Sequence, residues 1–405
     1  MLSNPIKSGI PDSSLTQRDN IFFYCFLASL ASDVIKIQEL YPLLTTLFFQ
    51  KIIGFIALVG ILVDPYARKI VRERMRTPQG KALLFLVFWI VVSIPLSIYP
   101  GNSFRFLTQS FWKVILIYVL TIAYAFNYER MSKIIWAYIL ATGLLASVYC
   151  SGVGTSGRFD LTVGYDVNDL AFVFVTAFGF IFYKLFSTKG LGRVLIGLLC
   201  VLLLFAIVKT QSRGGFLGLL AVGGVMLFQL RHLGSKYFVA GLVFCLMGGV
   251  LLSYMGDSQF WNRMSTITNY ENDYNVTEPT GRVAVWKRGI GLMLANPLLG
   301  VGVNNFYTAE GLSHNEGGGK WSAAHNSFVE IGVDLGFPGL ICFCYIILNS
   351  LKGVKKRNSL QNKRVFNNYI LTQYSIVSSW IGFLVVGFFL SEGYSSVFNF
   401  LVGMS

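Results

Sequence analysis

The chain has 405 residues, 54% hydrophobic and only 13% charged, with a mean hydropathy of +0.60. A soluble domain carries roughly 25% charged residues, so a soluble globular protein is excluded and an all-α polytopic membrane protein is expected. The net charge of +14 lies largely in short connectors between apolar runs, without interleaved aromatics, which argues for topology and against nucleic-acid binding.

A span needs about 20 apolar residues. In chain order such runs are expected at 20–35, 41–63, 82–99, 107–126, 133–152, 168–186, 194–210, 215–231, 237–254, 326–350, 372–390 and a truncated 394–405. That makes about 12 transmembrane helices, the first reading as an uncleaved signal-anchor. With the N-terminus inside, the basic connectors 64–81, 127–132, 187–193, 231–236 and 351–367 fall on the cytoplasmic side, where they also attract anionic membrane lipids. The expected division is 1–254 for nine spans with short loops, 255–325 for one large extracytoplasmic segment, and 326–405 for the last three spans. The six cysteines lie inside apolar runs without zinc-ligand spacing and read as small buried hydrophobes.

The segment 255–325 is where function is sought. It carries Arg263, Arg282, Lys287, Arg288 and Lys320 on the side where membrane proteins usually avoid positive charge, so an anionic ligand is expected. Within it, 280–293 has helical spacing, with Thr280 as N-cap and Pro297 closing the helix. The stretch from Asn269 to Thr277 is expected to be the loosest.

Arg213 stands in Gln211-Ser212-Arg213-Gly214-Gly215, between two spans. The glycines suggest a tight reversal, and the guanidinium fork matches phosphate oxygens. Arg282 and Arg288 are candidate phosphate-binding residues beside Arg213; they differ by about 120° around the expected helix, so they do not share a face, and Arg282, in the first turn, is the better placed for an anion. His325 sits where the polar segment re-enters the membrane, and a neutral imidazole suits removal of a proton from a sugar hydroxyl. Arg158, Asp166, Trp286 and Asn326 are candidate glycan or acceptor contacts, although Asn168 and Asp169 next to Asp166 are expected to cap a helix. His314 reads as a solvated loop residue. Lys51 and Lys113, deeper in apolar runs, receive no role.

His325-Asn326, nine residues, then Gly336-Phe337-Pro338-Gly339 resembles the His-Asn/Ser-x9-Gly-x-x-Gly/Thr/Tyr signature of the O-antigen ligase family of bacterial inner-membrane glycosyltransferases. The Gln-Ser-Arg-Gly-Gly turn at Arg213, the Gly-Arg-x-x-x-Trp stretch at Arg282 and Trp286, and Asn296-Pro297-Leu298-Leu299-Gly300-Val301-Gly302 are similar to the same family. The resemblance covers about 160–340. It implies a multi-pass inner-membrane enzyme with its active site facing the periplasm. It also implies transfer of a glycan from undecaprenyl diphosphate to lipid A–core oligosaccharide, without a metal or cofactor, arginines binding the diphosphate and a histidine serving the acceptor. Related members use a glycan end or a protein hydroxyl as acceptor, so a polymerase or a protein O-oligosaccharyltransferase is an alternative.

The residues support that chemistry independently. Displacing a diphosphate builds negative charge that positioned cations stabilise without a proton donor. Carboxylates of the outer face are scattered rather than clustered as a metal requires, Glu271-x-Asp273 having the only suggestive spacing. Direct displacement with His325 as base inverts the anomeric centre. A polysaccharide or lipid transporter, the reading from another class, calls for charges along a path through the spans and for internal repeats; mid-span charges are few and no repeat is visible.

Overall fold

The computed structural model describes residues 21–37, 43–44, 47–152, 155–156, 160–161, 164–269, 271, 273–314, 321–352 and 363–405, with side chains of the last stretch described from 368. The fold is all-α, apart from a two-residue antiparallel pairing of 155–156 with 160–161. Its helices are α1 (Ile21–Ile35), α2 (Phe49–Val63), α3 (Pro65–Met75), α4 (Pro78–Ser93), α5 (Pro100–Phe106), α6 (Trp112–Tyr124), α7 (Tyr128–Ser151), α8 (Val167–Ser187), α9 (Leu191–Thr210), α10 (Arg213–Leu230) and α11 (Ser235–Met255). There follow four short or surface helices, α12 (Ser258–Ser265), α13 (Tyr274–Thr277), α14 (Arg282–Ala295) and α15 (Phe306–Leu312), and then α16 (Ser327–Lys352), α17 (Lys363–Gly387) and α18 (Ser396–Met404).

Among the described residues, nine helices are long and apolar enough to cross a membrane, and they coincide with nine of the expected runs. The other three expected runs are shorter. The first is the 15-residue α1; the second is α2, bent by 95° into the basic helix α3. The bend follows from Asp64, whose side chain caps α3 by accepting from the Tyr66 amide, with Pro65 at the first position. The run at 394–405 is the nine-residue α18, about 14 Å long at 1.5 Å per residue, too short to span. Every residue from Val397 to Met404 is buried, so α18 is a plug packed against α6 inside the bundle.

The centre is built from α8, α10 and α17, and small residues bring them together. A β-carbon on Gly179 would lie 2.5 Å from the Ser379 amide nitrogen, one on Gly218 2.5 Å from Val386, and one on Gly215 2.6 Å from Ala171. Lipid offers no hydrophobic drive between helices, so such close approach and the van der Waals contact it allows carry the association. Ser379 adds a hydrogen bond to the Thr176 carbonyl at 2.9 Å. As a result the first turns of α8 and α10 lie side by side at one end of the bundle, the end that also receives 255–325. The basic connectors, from Arg68 and Arg72 of α3 through Arg193 and Arg231 to Lys352, lie between helix ends at the other. By contrast α11 is peripheral, with only Gly241 and Leu252 buried.

The segment 255–325 is partly helical, as expected, and is bolted to the bundle. Asp334, fully buried in α16, accepts from the backbone amides of Asn304 (2.7 Å), Asn305 (3.2 Å) and Phe306 (2.9 Å) and from the Tyr394 hydroxyl (3.2 Å). Asn305, also fully buried, donates to Ser103 at 3.0 Å, and Ser103 donates to the Val303 carbonyl at 2.8 Å. One feature of the helix start differs from expectation. Gly281, not Thr280, is the N-cap of α14, with no side-chain cap, because a β-carbon there would fall 2.4 Å from the Tyr274 carbonyl.

Candidate active site

Arg213 is the first residue of α10, with Ser212 as its N-cap through a bond from the Gly215 amide. The reversal before it is made by Gln211, at φ 51°, and not by the glycines. Gly215 serves helix packing instead. The guanidinium is held by two partners: it donates to both carboxylate oxygens of Asp273 and to the Thr266 hydroxyl at 2.8 Å. The supposedly loose stretch is therefore fixed at Asp273, whose carboxylate also caps α13. Burial raises the Asp273 carboxyl, but hydrogen bonds from Arg213 and Asn275 outweigh it and hold the group below the usual carboxylate range.

Arg282 opens α14 and feels the charges of both members of this pair. Burial lowers its pKa from the ordinary arginine value and the Arg213 charge acts the same way, while Tyr274, Asp166 and Asp273 act against it; a guanidinium stays protonated regardless. Asp166 is the N-cap of α8, in a reciprocal capping box with Asp169, and its carboxylate is exposed toward Arg282. Asn168 does not cap; its side-chain oxygen accepts from Ser212 at 2.9 Å, tying the starts of α8 and α10 together.

His325 joins the same cluster. Burial and the Arg282 charge hold its imidazole below the ordinary histidine value of 6.5, with Asp166 acting in the opposite direction. Its backbone is left-handed, φ 44°, a conformation that costs a non-glycine residue of order 1 kcal/mol or more and persists only where neighbours enforce it. Both neighbours do. Trp286 donates its indole N–H to the carbonyl of Ala324 at 2.8 Å. On the other side Asn326, buried, accepts from the amides of Phe328 (2.9 Å) and Val329 (3.1 Å) and so caps α16.

Of the candidate residues, the structure therefore gathers Arg213, Arg282, His325 and Asp166. Asn326 and Trp286, read from sequence as glycan or acceptor contacts, hold the turn that presents His325. Arg288 faces elsewhere: it donates to Glu310 (2.9 and 2.6 Å) and to the Pro279 carbonyl (2.9 Å), and Glu310 is fully buried and also accepts from the Ser322 amide. His314, expected to be solvated, lies 3.0 Å from the same carboxylate. Arg158 lies outside the described residues.

The glycines downstream of His325 shape its support. α16 breaks at Gly336 (φ 67°), where a β-carbon would meet the Leu298 carbonyl at 2.4 Å, and the Phe337 amide donates to the Pro297 carbonyl at 2.9 Å. Gly300 and Gly302 have φ of 66° and 94°, and the amides of Val301 and Gly302 donate to the carbonyls of Val333 (2.8 Å) and Asp334 (2.9 Å). Two separate motifs are thus one joint, which sets the height of α16 and of the histidine preceding it.

Sequence reasoning missed Asp273 as the Arg213 partner and Asp334 as the anchor of 304–306. Asp334 had a signal, since a carboxylate inside an apolar span is costly and marks a structured site. Asp273 showed only its spacing from Glu271; pairing across 60 residues leaves no local pattern.

One expected outcome follows from the indole bond. Trp286→Phe keeps the ring against Phe388, whose centroid lies 5.5 Å away, but removes the bond to Ala324. If the chain has the glycan-transfer activity that the resemblance implies, that activity should fall by about 10- to 100-fold through displacement of His325, with donor affinity unchanged in a binding titration. Equal losses in both would place Trp286 on the donor instead.

Comparison with known proteins agrees with this geography. The profile of the O-antigen ligase family matches residues 198–344, the interval from α9 to α16 that holds Arg213, Arg282 and His325. The chain is 25% identical over 323 residues to a putative polysaccharide ligase of Rickettsia felis, covering 74% of this chain and 76% of that protein. It is 23% identical over 295 residues to a putative polysaccharide ligase of Rickettsia conorii (70% and 69%). It is also 27% identical over 206 residues to the exopolysaccharide production protein ExoQ of Rhizobium meliloti (47% and 45%).

Proposed function

We propose that this chain, which matches the O-antigen ligase family across residues 198–344, is a glycosyltransferase of the bacterial inner membrane. In this reading it moves a glycan from undecaprenyl diphosphate to lipid A–core oligosaccharide at its periplasmic end. The observation that carries the reading is the meeting of two guanidiniums, Arg213 and Arg282, with one imidazole held below its ordinary value, at the end of the bundle opposite the basic connectors. Excess lysine and arginine mark the cytoplasmic side, so the cluster faces the periplasm.

In the proposed reaction the donor diphosphate takes both guanidiniums, exchanging places with Asp273 on Arg213. The acceptor hydroxyl approaches His325, which accepts its proton as the oxygen attacks the anomeric carbon. The carbon–oxygen bond to the diphosphate breaks, and its electrons pass to leaving-group oxygens neutralised by Arg213 and Arg282. Attack opposite the leaving group inverts the anomeric centre. All charge stabilisation comes from side chains, so the reaction is metal-independent.

The similarity to ExoQ, over 45% of that protein, favours one second reading, a polymerase whose acceptor is the end of another glycan. Purified protein given lipid-linked glycan and lipid A–core should form joined product in the presence of EDTA. Loss of product with EDTA would overturn the metal-free mechanism. Extension of the lipid-linked glycan alone, without transfer to lipid A–core, would replace the ligase with the polymerase.

A further inference from the structure

Lys51, left without a role by sequence, stands at an apolar groove. On the outer surface of the bundle, α2 and α6 leave a furrow of about 560 Å³ lined by Ile52, Phe55, Leu58, Ile115, Leu116 and Val119, with Lys51 and Trp112 at its upper end. From Lys51 to Leu58, and from Trp112 to Val119, each wall runs about 10 Å along the membrane normal at 1.5 Å per residue. α1 ends and α2 begins at the same end of the bundle as the candidate site. Lys36, just after α1, donates to the Gly164 carbonyl at 2.6 Å and lies 3.7 Å from the centre of the Tyr165 ring, one residue before Asp166.

The chemistry of the mouth is one-sided. Lys51 and Lys113 are both exposed, and neither α2 nor α6 contains an acidic residue. Among the described residues Lys51 makes no ion pair; its ammonium lies 4.8 Å from the Phe48 ring centre. Lys113 acts instead on Asp33, which also feels the charge of Lys36 and accepts from Gln50 at 3.0 Å. An exposed ammonium group on a lipid-facing surface is costly unless it meets headgroup oxygens.

We propose that this groove seats one chain of an anionic acyl lipid, with the lipid phosphate held by Lys51. Apolar walls match the chain, and the Lys51 ammonium at the mouth matches the phosphate. A furrow of this size takes a single saturated chain and is far too short for an undecaprenyl tail, which separates it from the proposed donor site. The proposal is independent of the transfer chemistry, because binding is read without turnover.

Trp112 provides the probe. The full-length protein is reconstituted with brominated-chain phosphatidylglycerol or with phosphatidylcholine carrying the same chains, and the Trp112 contribution is isolated by subtracting a Trp112→Phe variant. A lysine near an anionic surface is worth about fivefold in lipid affinity, so phosphatidylglycerol should quench Trp112 at roughly fivefold lower mole fraction. Lys51→Gln should abolish that preference, and Lys51→Arg should retain it. Equal quenching by the two lipids, or a preference that survives Lys51→Gln, overturns the proposal. Displacement of brominated phosphatidylglycerol by undecaprenyl phosphate at equal or lower concentration overturns the acyl-lipid assignment.

Discussion

Replacing His325 with alanine is expected to lower glycan transfer by about 10²- to 10⁴-fold, the range for loss of a general base, while leaving donor binding close to wild type. The basis is positional. His325 supplies the imidazole of the cluster, and burial together with the Arg282 charge keeps it neutral near neutral pH. The measurement is a pair: turnover with saturating acceptor, and a donor titration on the same preparation. Full turnover in the variant removes the base assignment. Loss of donor binding in parallel would make His325 a diphosphate ligand instead. The alanine variant also tests the left-handed turn, which Trp286 and Asn326 hold without help from the imidazole.

The second large effect is expected at Arg282. Removing a cation that stabilises the leaving diphosphate should cost about 10²- to 10³-fold in turnover, and the residual activity carries a sign that a purely structural loss would not. The base works in its neutral form, so activity falls as the pH drops through the His325 pKa. That acid limb lies below 6.5 in the wild type, because burial and Arg282 lower the group. Arg282→Ala removes one lowering influence, so the limb of the residual activity moves to higher pH. Asp166→Asn removes the opposing influence, so its limb moves to lower pH. Arg282→Lys, which keeps the charge, should leave the limb in place. A pH–rate profile of the three variants decides the matter; a limb that stays fixed in Arg282→Ala and Asp166→Asn would detach His325 from this cluster.

Much of this is legible in the amino-acid sequence. Nine spans are visible as apolar windows because a helix in lipid must be long and apolar to satisfy its backbone. The 9-residue plug α18 was read as a truncated span, since hydropathy cannot tell burial in protein from burial in lipid. Arg213, Arg282 and His325 stood out because cations and an imidazole on that side of the membrane are unusual. The roles of their neighbours did not. Trp286 as a sugar-stacking ring and Trp286 as a donor to the Ala324 carbonyl have the same sequence. Likewise Arg288 looks like Arg282 until Glu310, 22 residues on, is seen to hold it. Pairings between distant segments depend on packing, and a single chain's spacing does not report packing.

The Asp273 carboxylate on Arg213 has a consequence for how the proposed donor is received. An empty site with a bare guanidinium would let the side chain swing and would collect stray anions from the solvent. Here Asp273 and Thr266 hold the guanidinium in place, so the fork is already aimed when the proposed substrate arrives and little ordering remains to be done. Binding becomes a swap of one anion for another, and after transfer the aspartate can reclaim the arginine and help to eject the spent carrier.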